Sequence, residues 1–581
     1  MEIAAAALQF TTIAAESFRG CLLAIEIFST AQHMGADGDF FRTGLEFEKY
    51  RLLAWADRVG LLGESERQTL NWPLAGMILE QLRSTLTSAN ILRDRYSLNI
   101  SEEEIQVKEE AQTAEGPKSG IAGLVASLKP TLYTTAGRII QENNSTLKRL
   151  RWAARDKKKL KEFIAAITGL INKLEILLDS TERQQERDDY ERLIREVISH
   201  ATTTAAAGDV KELLESDTHG HNNEKAIKAA AYLKQVRLVL GADKQEAEVT
   251  PTLAKDLAGL KMPKLAVLKR SLKPWNDTLL FSNNLEFATY REQQVLIQWK
   301  SDEGVQWDRQ MKQMKCLAVF LMALSDKSFR SLRCLGYYPI ESQGRHGIVY
   351  SMPDEKIDWE FKTLKDLLAT QSLVSLNRRI EISKAIADTV LQLHTAGWLH
   401  KGLRSENIIF LAQRGSSDDV FLQSEPYVFG YEYARSDTED SAKAFTQLPD
   451  TELKADLYRH PQARGLGRET FQKRFDLYAL ACILVELVAW KPLINIFSSH
   501  INKELENAIA IAQESNEVME LPSLATLFEK EGVVDLLKHQ AGERTIDAIK
   551  VCFSAKEEEK DKKGMLTAQT AVVEKLAWCK L

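Results

Sequence analysis

Across its first 225 residues the chain carries three prolines, Pro73, Pro117 and Pro130, while apolar residues return at intervals of three and four. That interval collects a stripe on one face of an α-helix, and so few prolines leave long helices uninterrupted. The clearest stretch is 147–178, where Leu160, Phe163, Ile164, Ile167, Leu170, Ile171, Leu174 and Leu177 make one stripe. Further helices are predicted over 3–31, 42–60 and 74–90. The polar, acidic residues 101–120 read as a loop, and 201–224 as a linker at a domain edge. A helical bridge over 226–240 and a polar joint around 241–251 follow.

Beyond Pro274 the texture changes. Short β-like runs appear at 295–299, 332–338 and 347–351, and helices dominate again from Phe361. Strands first and helices second suggest a two-lobed α+β domain. At 581 residues the chain is too long for one core. The expected fold is therefore mainly α: a helical bundle over 1–225, a helical bridge and linker over 226–273, and a two-lobed α+β domain over 274–581.

A net charge of −6 gives no basic field, so nucleic acid is not an implied partner. The six cysteines are scattered without a CxxC pair, which fits reduced thiols in a cytoplasmic protein better than a disulfide framework or a zinc site. His219 and His221 stand in a polar loop without further ligands nearby, so no metal is expected there. Residues 3–15 are uncharged, but Glu16, Arg19 and Glu26 interrupt the apolar run before it reaches the ~18 residues of a membrane span. Glu2 precedes any basic residue, the reverse of a secretion signal.

His400-Lys401-Gly402-Leu403-Arg404-Ser405-Glu406-Asn407 resembles the protein-kinase catalytic loop H-R-D-L-x-x-x-N. A predicted helix precedes it and the apolar run Ile408-Ile409-Phe410 follows. Val428-Phe429-Gly430 stands where D-F-G belongs, and Tyr458-Arg459-His460-Pro461 near the A-P-E position. Asp476 opens an apolar helix, and Met352-Pro353 is similar to a kinase hinge. The resemblance implies a protein-kinase-like fold over the C-terminal half.

It also implies which chemistry is missing. Phosphoryl transfer needs a base, a magnesium ligand and a glycine-rich phosphate loop. The base position is Gly402, the metal position is Val428, and no glycine occurs from Leu260 to Glu303. The strand lysine falls at Gln298 or Lys300, which point the same way on a strand. Its glutamate partner is missing from the expected helix at 307–325. The expected protein is not an enzyme: it lacks catalytic residues and a resident cofactor, with weak or metal-free ATP binding through Lys300 and Asn407 as an open alternative. Asp418, Asp419 and Glu432 are the candidates for a displaced metal ligand in the competing reading, an atypical active kinase.

The first sixty residues resemble the HeLo (prion-inhibition and propagation) domain of fungal HET-S-type proteins. The matching features are Phe18, Cys21 and Phe28, the joint Gly38-Asp39-Phe40, and then Leu45, Glu48, Arg51, Leu52, Trp55 and Gly60. Further on, Trp152 to Lys159 is similar to that family's W-x-x-x-D-K-K-K segment. The resemblance implies a helical bundle that executes regulated cell death, self-associating and inserting an N-terminal helix into a membrane. Ile3, Leu8, Phe10 and Ile13 are the candidate insertion residues. Residues 147–162 hold eight basic side chains against two acidic ones, and Arg151, Arg155, Lys157, Lys158 and Lys159 are candidates for anionic lipid. An Ala-rich apolar helix is otherwise core, and a Lys-rich stretch a solvated face. The implied protein rests in the cytoplasm, moves to the plasma membrane on activation, and answers an upstream signal that the sequence does not name. The competing reading is a scaffold that dimerises without forming pores.

Overall fold

A computed structural model describes residues 2–30, 32–33, 37–63, 70–102, 125, 130–143, 150–154, 157–216, 223–241, 285–301, 317–324, 326–340, 345–370, 374–437, 456–464, 469–501, 523–529, 533–555 and 562–579. The chain divides into two compact units, Met1–Ala231 and Tyr232–Leu581.

The first unit is built on α1 (Glu2–Thr30), α2 (Gly38–Arg58), α3 (Trp72–Thr87), α4 (Pro130–Asn143), α5 (Lys157–Glu175), α6 (Ser180–His200) and α7 (Thr204–Ser216). It also takes the first turns of α8 (Glu224–Gly241). The predicted stripe of α5 is buried against α1, α2 and α3, with Phe163 beside Phe28, Phe41 and Tyr96 at ring distances of 4.9–5.9 Å. Local signals fix the helix ends. Asn71 caps α3 by accepting the Leu74 N–H at 3.2 Å, with Pro73 in the first turn. Asp179 and Glu182 form a reciprocal capping box on α6.

Two sequence expectations need correction here. The helix expected over 147–178 starts only at Lys157. Leu150–Ala154 is strand β3, between β1 (Gln32–His33) and β2 (Leu98–Glu102) in a small sheet. Leu150 and Trp152 alternate with Arg151 and Ala153, a period of two, and the helical stripe begins at Leu160. The linker expected over 201–224 contains α7, which buries Ala207, Val210 and Leu214 at helical spacing. Of the loop expected at 101–120, Ser101 and Glu102 end β2 and the rest lies outside the described residues.

The second unit has two lobes. The first is an antiparallel sheet in the order β4-β5-β7-β6, made of Leu285–Tyr290, Gln293–Ser301, Arg345–Ser351 and Cys334–Ile340. The predicted runs 295–299 and 347–351 fall within β5 and β7, 332–338 begins two residues before β6, and residues 317–323 are helical. The second lobe is mostly helical, with α9 (Leu364–Leu368), α10 (Leu376–Thr395), α11 (Asp418–Gln423) and α12 (Lys473–Ala489), and is centred on α10 and α12. From Phe475 to Val488 every residue of α12 is buried, as expected of a helix apolar on all sides. Beside these lie β8 (Trp359–Thr363), β10 (Ile408–Gln413) and β11 (Pro426–Val428) in one sheet, and the pair β9 (Trp398–Leu399) and β12 (Arg435–Ser436). The last described helix, Lys562–Ala577, sets Gln569 against His394 of α10. The chain is thus mainly α, a helical unit followed by a two-lobed α+β unit.

Candidate functional site

The loop between β9 and β10 is held from beneath by Asp476, in the first turn of α12. Its carboxylate accepts the backbone N–H of His400 at 2.7 Å and of Lys401 at 2.8 Å, and lies 3.0 Å from His394 Nε2. Burial pushes the Asp476 carboxyl up, but His394, His400 and the backbone N–H outweigh it and hold it below the usual range. Burial brings His400 down to about 4, so the ring is neutral. Gly402 N–H donates to His400 Nδ1 at 3.1 Å, which makes Nδ1 the unprotonated nitrogen. Lys401 takes a left-handed backbone, φ +66°, with its ammonium 5.5 Å from the Phe471 ring centre.

Gly402 and Gly430 face each other across the loop. A Cβ on Gly402 would stand 2.5 Å from the Gly430 carbonyl oxygen, and one on Gly430 would stand 2.3 Å from Asn407 Nδ2. Gly430 also has φ +89°, where a side chain is strained. The space beside Gly402 is therefore filled by backbone. Asn407 spans the contact: Nδ2 donates to Gly402 O at 2.7 Å, and the Asn407 backbone carbonyl accepts the Phe429 N–H at 2.7 Å. Val428 is buried in β11 opposite Ile408 and donates its N–H to Arg330 O at 2.7 Å. Phe429 packs edge-on against Tyr350 of β7 at 5.0 Å.

Gln298 and Lys300, adjacent same-face positions of β5, are 2% and 6% exposed and both reach the segment after Gly430. Gln298 Nε2 donates to the Glu432 carboxylate, while Gln298 Oε1 accepts from the Tyr350 hydroxyl at 3.2 Å. Lys300 Nζ donates to the Glu432 carbonyl at 3.1 Å and lies 5.1 Å from the Tyr433 ring centre. The open register between the two residues thus resolves into a shared partner, Glu432, which the pattern of β5 gave no means of finding. The nucleotide candidates Lys300 and Asn407 are each anchored to neighbours inside the cleft. Asp418 pairs with Lys362, and among the described residues no group of three His, Cys, Asp or Glu is placed to hold a metal ion. His219, His221 and Arg155 lie outside the described residues.

In the first unit α1 and α3 run parallel. Ser17 donates to Glu80 at 3.0 Å and Cys21 to Leu79 O at 3.3 Å, and Ala14 faces Gly76. That register sets Phe10 and Ile13, 42% and 45% exposed, alongside the start of α3, where Leu74 and Met77 are 40% and 71% exposed. The side chains of Ile3 and Leu8 lie outside the description. Among the described residues no helix is long and apolar enough to cross a membrane. Of the basic candidates, Arg151 is on β3; Lys157 pairs with Glu212 at 2.6 Å and lies over the Phe40 ring; Lys159 pairs with Glu162 at 2.7 Å; Lys158 stands between them in the first turn of α5. Pairing with acids within the unit reduces the free charge that this face offers.

A family model described as HeLo, prion-inhibition and propagation, matches residues 7–214, which span α1 to α7. No curated protein matches the chain. The family match supports the HeLo resemblance for the helical unit, at the level of a fungal cell-death effector family.

Proposed function

We propose that the chain is a cell-death effector of the heterokaryon-incompatibility type, in which a non-catalytic, protein-kinase-like second unit governs a membrane-inserting HeLo unit. The observation that carries this is the exposed apolar set Phe10, Ile13, Leu74 and Met77 within the HeLo match. Single exposed apolar residues are ordinary, whereas a cluster on one helix pair is a docking or insertion face. α1 is too polar to span a membrane at rest, so insertion requires self-association that covers Glu16, Arg19 and Glu26.

The second unit supports a governing role through what its cleft lacks. The catalytic-base position is a glycine whose side-chain space is taken by the Gly430 carbonyl, and the metal position is a buried valine. Such a site reads a signal by changing shape, through a ligand, a modification or a partner protein.

Dye release from anionic vesicles tests the proposal with the full chain, its Phe10→Glu/Ile13→Glu variant, and residues 1–241 alone. Residues 1–241 are expected to release dye, the resting full chain to release little, and the double variant to abolish membrane association. Silence of residues 1–241, or release untouched by the double substitution, overturns the insertion reading in favour of a scaffold.

A further inference from the structure

The last turns of α8, from Tyr232 onward, belong to the two-lobed unit and bury side chains that a solvated linker leaves in water. Lys234, Gln235 and Arg237 are 1%, 5% and 7% exposed. Arg237 directs Nη2 to Asp437 Oδ1 at 2.6 Å and donates Nε to Ser436 Oγ at 3.1 Å. Lys473, the first residue of α12, reaches the other Asp437 oxygen at 3.2 Å. Burial pushes the Asp437 carboxyl up, but Lys473, Arg237 and Lys234 together outweigh it and hold it below its usual range.

The backbone is shaped around the same contact. Asp437 N–H donates to Gly397 O at 3.0 Å, beside the β9–β12 ladder. Gly397 has φ +77°, and a Cβ there would lie 2.8 Å from Arg237 Nη1 and 2.9 Å from Asp437 Oδ1. Only glycine lets the guanidinium lie against this turn. One short segment, 430–437, therefore carries an acidic side chain on either side of its backbone pairing with β9. Glu432 fastens it to β5 through Gln298 and Lys300, and Asp437 fastens it to α8 through Arg237.

We infer that the Arg237–Asp437 contact is a releasable clasp through which the cleft holds the end of α8. While Glu432 sits against Gln298 and Lys300, Asp437 is presented to Arg237. Displacing Glu432 withdraws Asp437 and frees α8 from Tyr232 onward. The direction of signalling, from cleft to helix, rests on the proposed function; the clasp is read independently of it.

Hydrogen exchange on the full chain tests the clasp. Arg237→Gln leaves Asp437 with Lys473 and Lys234, so no carboxylate is orphaned. It is expected to speed amide exchange across 232–241 by about tenfold or more while α10 is unchanged. Arg237→Lys keeps the charge but loses the planar fork, and is expected to give a smaller rise confined to the same residues. Glu432→Ala is expected to speed exchange in β5 and in 232–241 together. The inference is overturned if Arg237→Gln leaves 232–241 unchanged, or if Glu432→Ala loosens β5 alone. It is equally overturned if all three variants loosen the whole unit alike, the mark of an ion cluster that only supports the fold. Vesicle release is a separate readout: its failure beside an intact exchange response would sink the proposed function and leave the clasp standing.

Discussion

Arg51 in the helical unit and Gln298 in the two-lobed unit are equally buried, at 2% exposed, and each ties together elements far apart in the sequence. Arg51 on α2 meets opposite charge: Glu175 of α5 at 2.7 Å and Glu48 at 3.2 Å, with Asn172 completing the fork. Glu48 in turn accepts from Thr168 of α5 at 2.7 Å. Gln298 is neutral, and its amide links Glu432 to Tyr350. A charge in a low-dielectric interior is costly to separate from its partner, and a neutral amide much less so. The ties within the helical unit are thus hard to open, whereas the ties across the cleft are hydrogen bonds from Gln298 and Lys300 to Glu432 that a competing ligand or partner can replace. A trigger is better placed at the second kind of contact, here Glu432 on Gln298, than at a buried ion pair such as Arg237–Asp437, which opens only once Glu432 has moved.

Arg51→Ala gives the largest effect that this comparison predicts. It strands Glu48 and Glu175 in the interior, and the expected loss is about 3–5 kcal/mol for the helical unit. Denaturation followed by hydrogen exchange in α2 and α5 checks it, with the two-lobed unit as internal reference. A loss below about 1 kcal/mol would mean that the apolar core alone holds these helices, and the contrast with Gln298 would disappear.

Gly402→Asp probes the other side. It restores the residue type that the kinase resemblance leads one to expect, but the new Cβ meets the Gly430 carbonyl at 2.5 Å, which is backbone and yields poorly. The expected cost is about 1–3 kcal/mol with no phosphate transfer gained. A stable variant, and above all one that transfers phosphate with magnesium, would show a looser cleft and revive the active-kinase reading.

The stripe from Leu160 to Leu177 announced α5 because a face buried on one side leaves its period in the residues. The strand at Leu150–Ala154 is hard to read because its period of two lasts only five residues and adjoins a helix with a much longer stripe. In the cleft, Gly402, Asn407, Val428 and Asp476 were legible as an ordered set of positions. Glu432 as the partner of Gln298, and Asp437 as the partner of Arg237, were not. Both are contacts between residues more than a hundred positions apart, and neither glutamate nor aspartate on a short segment carries a pattern that names its partner. The exposure of Phe10 and Ile13 was equally hidden, since an apolar stripe looks the same whether it faces a core or water.

The smallest expected effect concerns a buried carboxyl with no cation against it. Glu486 on α12 accepts the Tyr458 hydroxyl at 2.7 Å and the Leu493 N–H at 3.0 Å, and burial pushes it from 4.5 up to about 7. In the helical unit Glu186 also rises to about 7 on burial, yet Arg58 faces it, so replacing it would orphan a cation. Glu486→Gln orphans none. With the folded value raised, the native state keeps its proton between pH 4.5 and about 7 while the unfolded chain loses it, so this group's contribution to stability falls as pH rises through that window. His400 and His460, both drawn down to about 4 by burial, act in the opposite sense below 6.5 and mask the trend in the unaltered protein. The difference between Glu486→Gln and the parent chain isolates it. The variant is expected to gain about 1–2 kcal/mol relative to the parent between pH 6 and pH 8, read from urea unfolding of the two-lobed unit. A difference that does not change with pH would mean that Glu486 is ionised in the native state, and the contrast between the two interiors would narrow to the cleft alone.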